Sequence, residues 1–262
     1  MRYWALVRAG FRRYASYRAA TVAGVFTNTV FGFIRAAILI AALEAGGNIA
    51  GYDRASALTY VFLGQALIMT MAIWRWVDLA TRIKSGDVVT DLQRPMGMQA
   101  MYMAEDYGRG LYHLLARGIP PMLIGALVYT LQFPTSALTW LAFFVSVLLG
   151  IGVSFGIRFL WNLSAFWTLD EGGLAVMASF CATLLSGLAL PLGFFPAWAQ
   201  RIMTLLPWAS MIQIPIDVFL GRHTGAGLAG ALVLQAAWVV ALFLVGRAVL
   251  AAATRRVVVQ GG

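Results

Sequence analysis

Little in this chain could perform side-chain chemistry. Cys181 is the only cysteine of 262 residues and lies in an apolar run, which excludes an intrachain disulfide and a cysteine metal site. His113 and His223 are the only histidines, and neither falls in a metal-like cluster. No H-E-x-x-H pattern is present, so no zinc protease helix can be read, and the G-V-S-F-G of residues 152–156 lies inside an apolar run rather than at the strand-to-helix turn of a nucleophile elbow. Lys84 is the one lysine. Ser85 follows it, but Ala80–Ile83 holds no glycine, so the phosphate-cradling loop G-x-x-x-x-G-K-[ST] is missing. No catalytic residue, metal ligand or cofactor site is expected in the chain itself.

Charge is scarce as well. Charged residues make up 11% of the chain against 61% hydrophobic, and the mean hydropathy of +0.81 excludes a soluble domain. Several apolar runs reach the ~20 residues that cross a bilayer core. The net charge of +9 does not point to nucleic acid, because the basic residues flank apolar runs instead of forming a patch.

What is present is organised around the bilayer. Six spans are expected, at about 21–43, 57–76, 118–133, 135–159, 173–192 and 226–245, in a single all-α transmembrane domain covering 1–262. Residues 1–20 carry Arg2, Arg8, Arg12, Arg13 and Arg18 with no short apolar core or cleavage site, so a cleaved signal peptide is not expected. Tyr3, Trp4, Val7, Gly10, Phe11, Tyr14 and Tyr17 share one side of a helix there, the pattern of an interfacial amphipathic segment. With the N-terminus cytoplasmic, 15 of the 19 basic residues fall inside, which places both termini on the cytoplasmic face of an inner or plasma membrane. Residues 190–221 are too apolar for a solvated loop. Pro191, Pro196, Pro207 and Pro215 nevertheless forbid a spanning helix, so short helices dipping into the outer leaflet are expected.

The cytoplasmic stretch 77–117 is longer than a hairpin needs, and it contains IKSGDVVTDLQRPM at 83–96. Ser85 or Asp87 can cap a short helix, Val88, Val89 and Leu92 form a small apolar face, Asp91 and Arg94 point elsewhere, and Pro95 stops the turn. A solvated loop has no use for such a peg. A socket on another protein does.

Here the sequence resembles exporter-type ABC permeases of the daunorubicin-resistance kind, in which Ser-Gly, an acidic residue, Leu and Arg-Pro recur after the second span. The amphipathic N-terminal "elbow", the six spans and the proline-rich outer segment agree with that resemblance. It implies that Ser85, Gly86, Asp87, Val88, Val89, Asp91, Leu92, Arg94 and Pro95 form a coupling helix seated in a separate ABC ATPase subunit. It also implies a second permease subunit, identical or homologous, with ATP and Mg bound by the ATPase partner.

Two polar stripes are candidates for the translocation path or the seam between subunits. Thr21, Gly24, Asn28, Gly32 and Arg35 recur at three- and four-residue spacing on the first span; the alternative is tight packing, with Arg35 snorkelling or paired to Glu44. Ser179, Thr183, Ser186 and Gly187 make a weaker stripe on the fifth, more typical of helix packing. The resemblance favours a path, because first and fifth spans face the central cavity in such exporters. Asp170 and Glu171 suit a helix N-terminus. An intramembrane enzyme would need convergent catalytic side chains, and an ion-coupled carrier or channel would need acids within its spans. All ten acids are expected in loops or at span ends. An amphipathic or lipid-like cargo would suit the stripes.

Overall fold

A computed structural model of the protein describes residues 2–46, 51–74, 78–168 and 172–255, and these contain helices and no strand. Gly47, Arg75, Trp76, Asp170, Glu171 and Arg256 lie outside the described residues, and with them the expected capping role of the two acids. Twelve α-helices are described: α1 (Arg2–Ala15), α2 (Arg18–Gly46), α3 (Arg54–Thr70), α4 (Asp78–Ser85), α5 (Val88–Leu92), α6 (Met98–His113), α7 (Ile119–Val128), α8 (Ala137–Leu163), α9 (Gly172–Leu185), α10 (Ala197–Leu205), α11 (Gln213–Phe219) and α12 (Gly225–Thr254).

Four helical stretches are long and apolar enough to cross a bilayer: Arg18–Ala45, Met98–Val128, Ala137–Phe166 and Gly225–Thr254. Their positions correct the expected boundaries. The third run does not begin at Gly118. It is a continuous helix from Met98, in which α6 and α7 are joined by a π-turn at Leu114–Gly118. Pro120 and Pro121 explain the π-turn: neither can donate to the helical ladder, and widening the preceding turn removes the ring clash without breaking the rod.

The second and fifth runs are shorter than expected. At 17 residues α3 rises about 25 Å, less than the hydrocarbon core. It is nonetheless the centre of the molecule, buried on every side from Ser56 to Ile68. Phe62, Leu67, Met71, Ile151, Ile212 and Ile216 lead the main apolar cluster around it. By contrast α2, α7, α9 and α12 each leave an apolar face outward, among them Phe26, Leu127, Phe180 and Val233. In water such faces would drive aggregation; in lipid they cost nothing.

The segment 190–221 is built as expected from short pieces. One 3-10 turn (Leu192–Phe194) precedes α10 and another (Pro207–Ser210) separates α10 from α11, and Ala209, Met211, Ile212, Ile216 and Phe219 are buried against α3 and α8. At the other end, α1 does not merely lie on a surface. Val7, Gly10, Phe11 and Tyr14 turn towards α6, where Phe11 meets Tyr112 and Tyr14 meets His113 edge-on. The two helices nearly touch because Gly10 faces the Glu105 carbonyl and Gly108 faces that of Val7, where no Cβ would fit. Tyr3, Trp4 and Tyr17 remain exposed.

Candidate functional site

Helices α4 and α5 form a hairpin turned by Gly86, whose φ of +82° is costly for any other residue. The hinge of the hairpin is Asp91, 3% exposed, which sequence reasoning pointed outward. The structure corrects this. Its Oδ2 accepts from Arg82 Nε at 2.8 Å and from the Tyr102 hydroxyl at 2.8 Å, and Arg94 Nη2 stands 3.7 Å from Oδ1. Arg82, its guanidinium held further towards the charged form by that bond, also donates to the Asp87 carbonyl at 3.2 Å. These contacts tie α4 to α5 and both to α6.

The apolar face is corrected too. Val88 is buried with Leu79, Met98, Phe155, Phe159 and Leu163, and Leu92 packs against that group, so the face expected to meet a partner meets α8 instead. The Asn162 side-chain oxygen accepts from Ala80 N at 3.0 Å, fastening α4 to the end of α8. Asp87 caps no helix N–H; its carboxylate takes the Ser85 hydroxyl at 2.7 Å. What the hairpin presents outward is polar: Ser85, Gly86, Asp87, Thr90, Gln93, Arg94 and Pro95 are exposed, with Val89 half-buried.

Directly behind the hairpin lies a cluster that the sequence did not reveal. Asp106 is expected in a loop but is buried on α6 within the Met98–Val128 rod. Its Oδ1 accepts from Arg109 Nε at 2.6 Å and its Oδ2 from Arg158 Nη2 at 2.6 Å. The arginines have second tasks at the end of α3. Arg109 donates to the carbonyls of Met69 at 2.5 Å and Thr70 at 3.0 Å. Ser154, which accepts from Arg158 Nε at 3.1 Å, gives its hydroxyl to the Met71 carbonyl. A helix that stops early leaves orphan carbonyls and the negative end of its dipole, and cations are what satisfy both. The only signals were the i,i+3 spacing of Asp106 and Arg109 and an arginine near the end of an apolar run.

The first stripe faces protein. Thr21 shares a hydrogen bond with Tyr112 at 2.7 Å, Asn28 donates to the Gln65 carbonyl at 3.2 Å, and Gly32 lets Phe62 approach. Arg35 is not paired to Glu44. Its Nη1 donates to the Leu188 carbonyl at 2.9 Å, just beyond the end of α9. It also edges a cavity of about 350 Å³ lined by Ile38, Leu39, Tyr60, Pro191 and Phe194.

The second stripe is mostly self-satisfied. Ser179 donates to the Ala175 carbonyl at 2.9 Å and Thr183 to that of Ser179 at 2.7 Å, while Thr183 accepts from Trp74 Nε1 at 2.8 Å. Ser186 is buried where α9 unwinds, and its carbonyl accepts from Gln213 N at 3.0 Å. The structure thus joins Arg35 to the segment that follows the Ser179–Ser186 stripe.

Gln213 was missed. Its Oε1 accepts from the Tyr60 hydroxyl at 2.7 Å and Leu192 N at 2.9 Å, while its Nε2 donates to Asp217 at 2.8 Å. Gln235, also missed, is fully buried on α12 and fastens it to Ser146 and the Ser210 carbonyl. Lone glutamines in apolar runs were the available signal.

A family model described as ABC-2 family transporter protein matches residues 29–261, nearly all of the chain. No curated protein and no solved structure matches it.

Proposed function

The chain belongs to the ABC-2 family of transporter proteins, a family of membrane permeases, and on that premise we propose that it is the membrane subunit of an ATP-driven exporter. It is a multi-pass membrane protein, and its family generally works with ABC ATPases. In our reading α2, α3, the α6–α7 rod, α8, α9 and α12 are the six bilayer elements, with α3 and α9 not reaching fully across. Both termini and the α4–α5 hairpin lie on the cytoplasmic side of a plasma membrane, α1 is the elbow at that surface, and α10 and α11 dip into the outer leaflet. A second permease subunit completes the pathway, against one of the apolar faces left outward by α2, α9 or α12. ATP and Mg are bound by the partner ATPase.

The observation that carries this reading is the build of the hairpin. Its inner side is bolted to α6 and α8 through Asp91, Val88, Leu92 and Asn162, and its outer side offers Ser85–Asp87, Thr90 and Gln93–Pro95. A push on that tip reaches two long helices without an intervening flexible link. The surface for the ATPase is therefore the polar edge, with Val88 and Leu92 holding it from behind. Arg35 and the end of α9 edge the outer part of the cargo path, and the apolar lining beside Arg35 suits an amphipathic cargo.

The test is Asp87→Arg with Gln93→Arg, both exposed. Affinity purification should yield a folded membrane subunit that has lost its co-purifying ABC ATPase. A variant that retains the ATPase and transports like the parent refutes the coupling assignment. Topology is checked separately: a cysteine at Thr224 should react with an impermeant reagent from outside, and one at Ser85 should not.

A further inference from the structure

Between the end of α1, the start of α2 and the α6–α7 rod lies a cavity of about 430 Å³. Arg13, Arg109, Arg117 and Arg158 reach it, with Tyr17 and Thr21 at the α1–α2 corner. The charges do not cancel. Arg13 is answered by Asp78 at 3.5 Å, and the single carboxylate of Asp106 serves both Arg109 and Arg158. Arg117 has no carboxylate partner among the described residues. That guanidinium lies across Gly24 of α2, where any side chain would displace it, and its buried Nε has no hydrogen-bond partner among the described residues. A buried donor on a cation without an acceptor is costly, and an anion in the cavity is the direct remedy.

We propose that this cavity binds the phosphate of an anionic lipid from the cytoplasmic leaflet, with Arg117 as its principal donor. The level fits. Exposed Tyr17 marks the corner, and the outward apolar face of α2 begins at Val22, about one turn further into the bilayer. Headgroups of the adjoining leaflet therefore sit at the height of the cavity, and an aromatic residue belongs at that boundary. Negative lipid would also balance the charge behind the coupling hairpin, at the junction that holds the end of α3. The assignment of leaflet rests on the orientation proposed above, whereas the binding chemistry does not.

The experiment uses the full chain in detergent, titrated with phosphatidylglycerol or phosphatidylcholine and read by native mass spectrometry. One phosphatidylglycerol should be retained under conditions that strip phosphatidylcholine. Arg117→Gln should weaken it about tenfold, the scale of one charge-assisted bond, and Arg117→Lys should weaken it less. Arg12→Gln, which removes an exposed charge outside the cavity, should change nothing. Should Arg117→Gln fail to fold, the exposed Arg13→Gln reports on the same cavity and should weaken phosphatidylglycerol several-fold. The proposal is overturned if both lipids bind alike, if Arg12→Gln costs as much as the cavity variants, or if inorganic phosphate displaces the lipid at equal concentration. Because no ATPase or sidedness enters the measurement, its failure would leave the coupling assignment standing.

Discussion

Helices α3 and α9 are both too short to cross a bilayer core, and the chain satisfies their two C-terminal ends with different chemistry. At the C-terminal end of α3 the orphan carbonyls of Met69, Thr70 and Met71 meet Arg109 and Ser154, with Asp106 and Arg158 behind them. Just past the C-terminal end of α9 the carbonyls of Gly187 and Leu188 meet the Tyr60 hydroxyl at 2.7 Å and Arg35 at 2.9 Å, with Gln213 behind. A single cation, Arg35, among uncharged groups serves the α9 break, whereas ions of both signs are paired at the α3 break. An ionic cluster is stiff while complete and severely destabilised when one partner is lost; a neutral network loses less per bond. In a permease, the stiffer junction lies beside the hairpin that our reading couples to the ATPase.

The largest effect should come from the ionic side. Asp106→Ala leaves two buried guanidinium groups without their shared carboxylate, and such a loss typically costs about 3–5 kcal/mol. Purified protein should show a large drop in melting temperature or fail to accumulate. A double variant, Asp106→Leu with Arg158→Met, removes part of the uncompensated charge and should be more stable than Asp106→Ala alone. If Asp106→Ala melts like the parent, the ionic junction is not structural and the contrast with α9 disappears.

The α9 side, with no buried ion pair to break, should respond less. Gln213→Ala strips an acceptor from Leu192 N, one of the two acceptors beside the Tyr60 hydroxyl, and a donor from half-buried Asp217, for about 1–3 kcal/mol. Comparison of the two melting shifts on the same preparations decides whether ion and amide differ as argued. Arg35→Ala should fall in the same range, since it removes one charge-assisted bond to Leu188. Arg35→Lys keeps charge but not the reach of the guanidinium, so rescue by lysine would show that charge, not the forked geometry, holds the end of α9.

The sequence made some of this legible and concealed the rest for a physical reason. Runs such as Ala137–Leu163 and Gly225–Thr254 declare themselves through unbroken hydropathy, and the prolines of 190–221 announce short helices. The end of α3 does not, because Met71, Ala72 and Ile73 continue the apolar run with no glycine or proline. Its stop is supplied by Arg109, 39 positions later. Likewise Glu105, Asp106 and Arg109 read as a solvated loop because charge density is local, whereas Glu105 is covered by α1, about a hundred residues earlier, and Asp106 and Arg109 by α8 and the end of α3. The hairpin residues of 83–96 were found, but which of them turn inward depended on α8.

The smallest effect, at the opposite end of α3, isolates the helix from its ions. Asp53 caps its first turn: the carboxylate accepts from Ser56 N at 2.9 Å and from the Ser56 hydroxyl. Those bonds favour the ionised form and hold the Asp53 carboxyl below its ordinary value of 3.8. A carboxyl depressed in the folded state stabilises above its unfolded value, and that contribution is lost as pH falls through the folded one. Asp53→Ala should cost ~1 kcal/mol at neutral pH, the usual worth of an N-cap. Asp53→Asn keeps an acceptor, so it should melt close to the parent at pH 7. Because the amide does not titrate, the same variant should lose less stability than the parent when the pH is lowered from 5 towards 3. Thermal melts of the three proteins across that range check both statements. A parent and an asparagine variant that decline in parallel would assign the acid response to other carboxylates, and Asp53 would then be a cap whose charge contributes nothing.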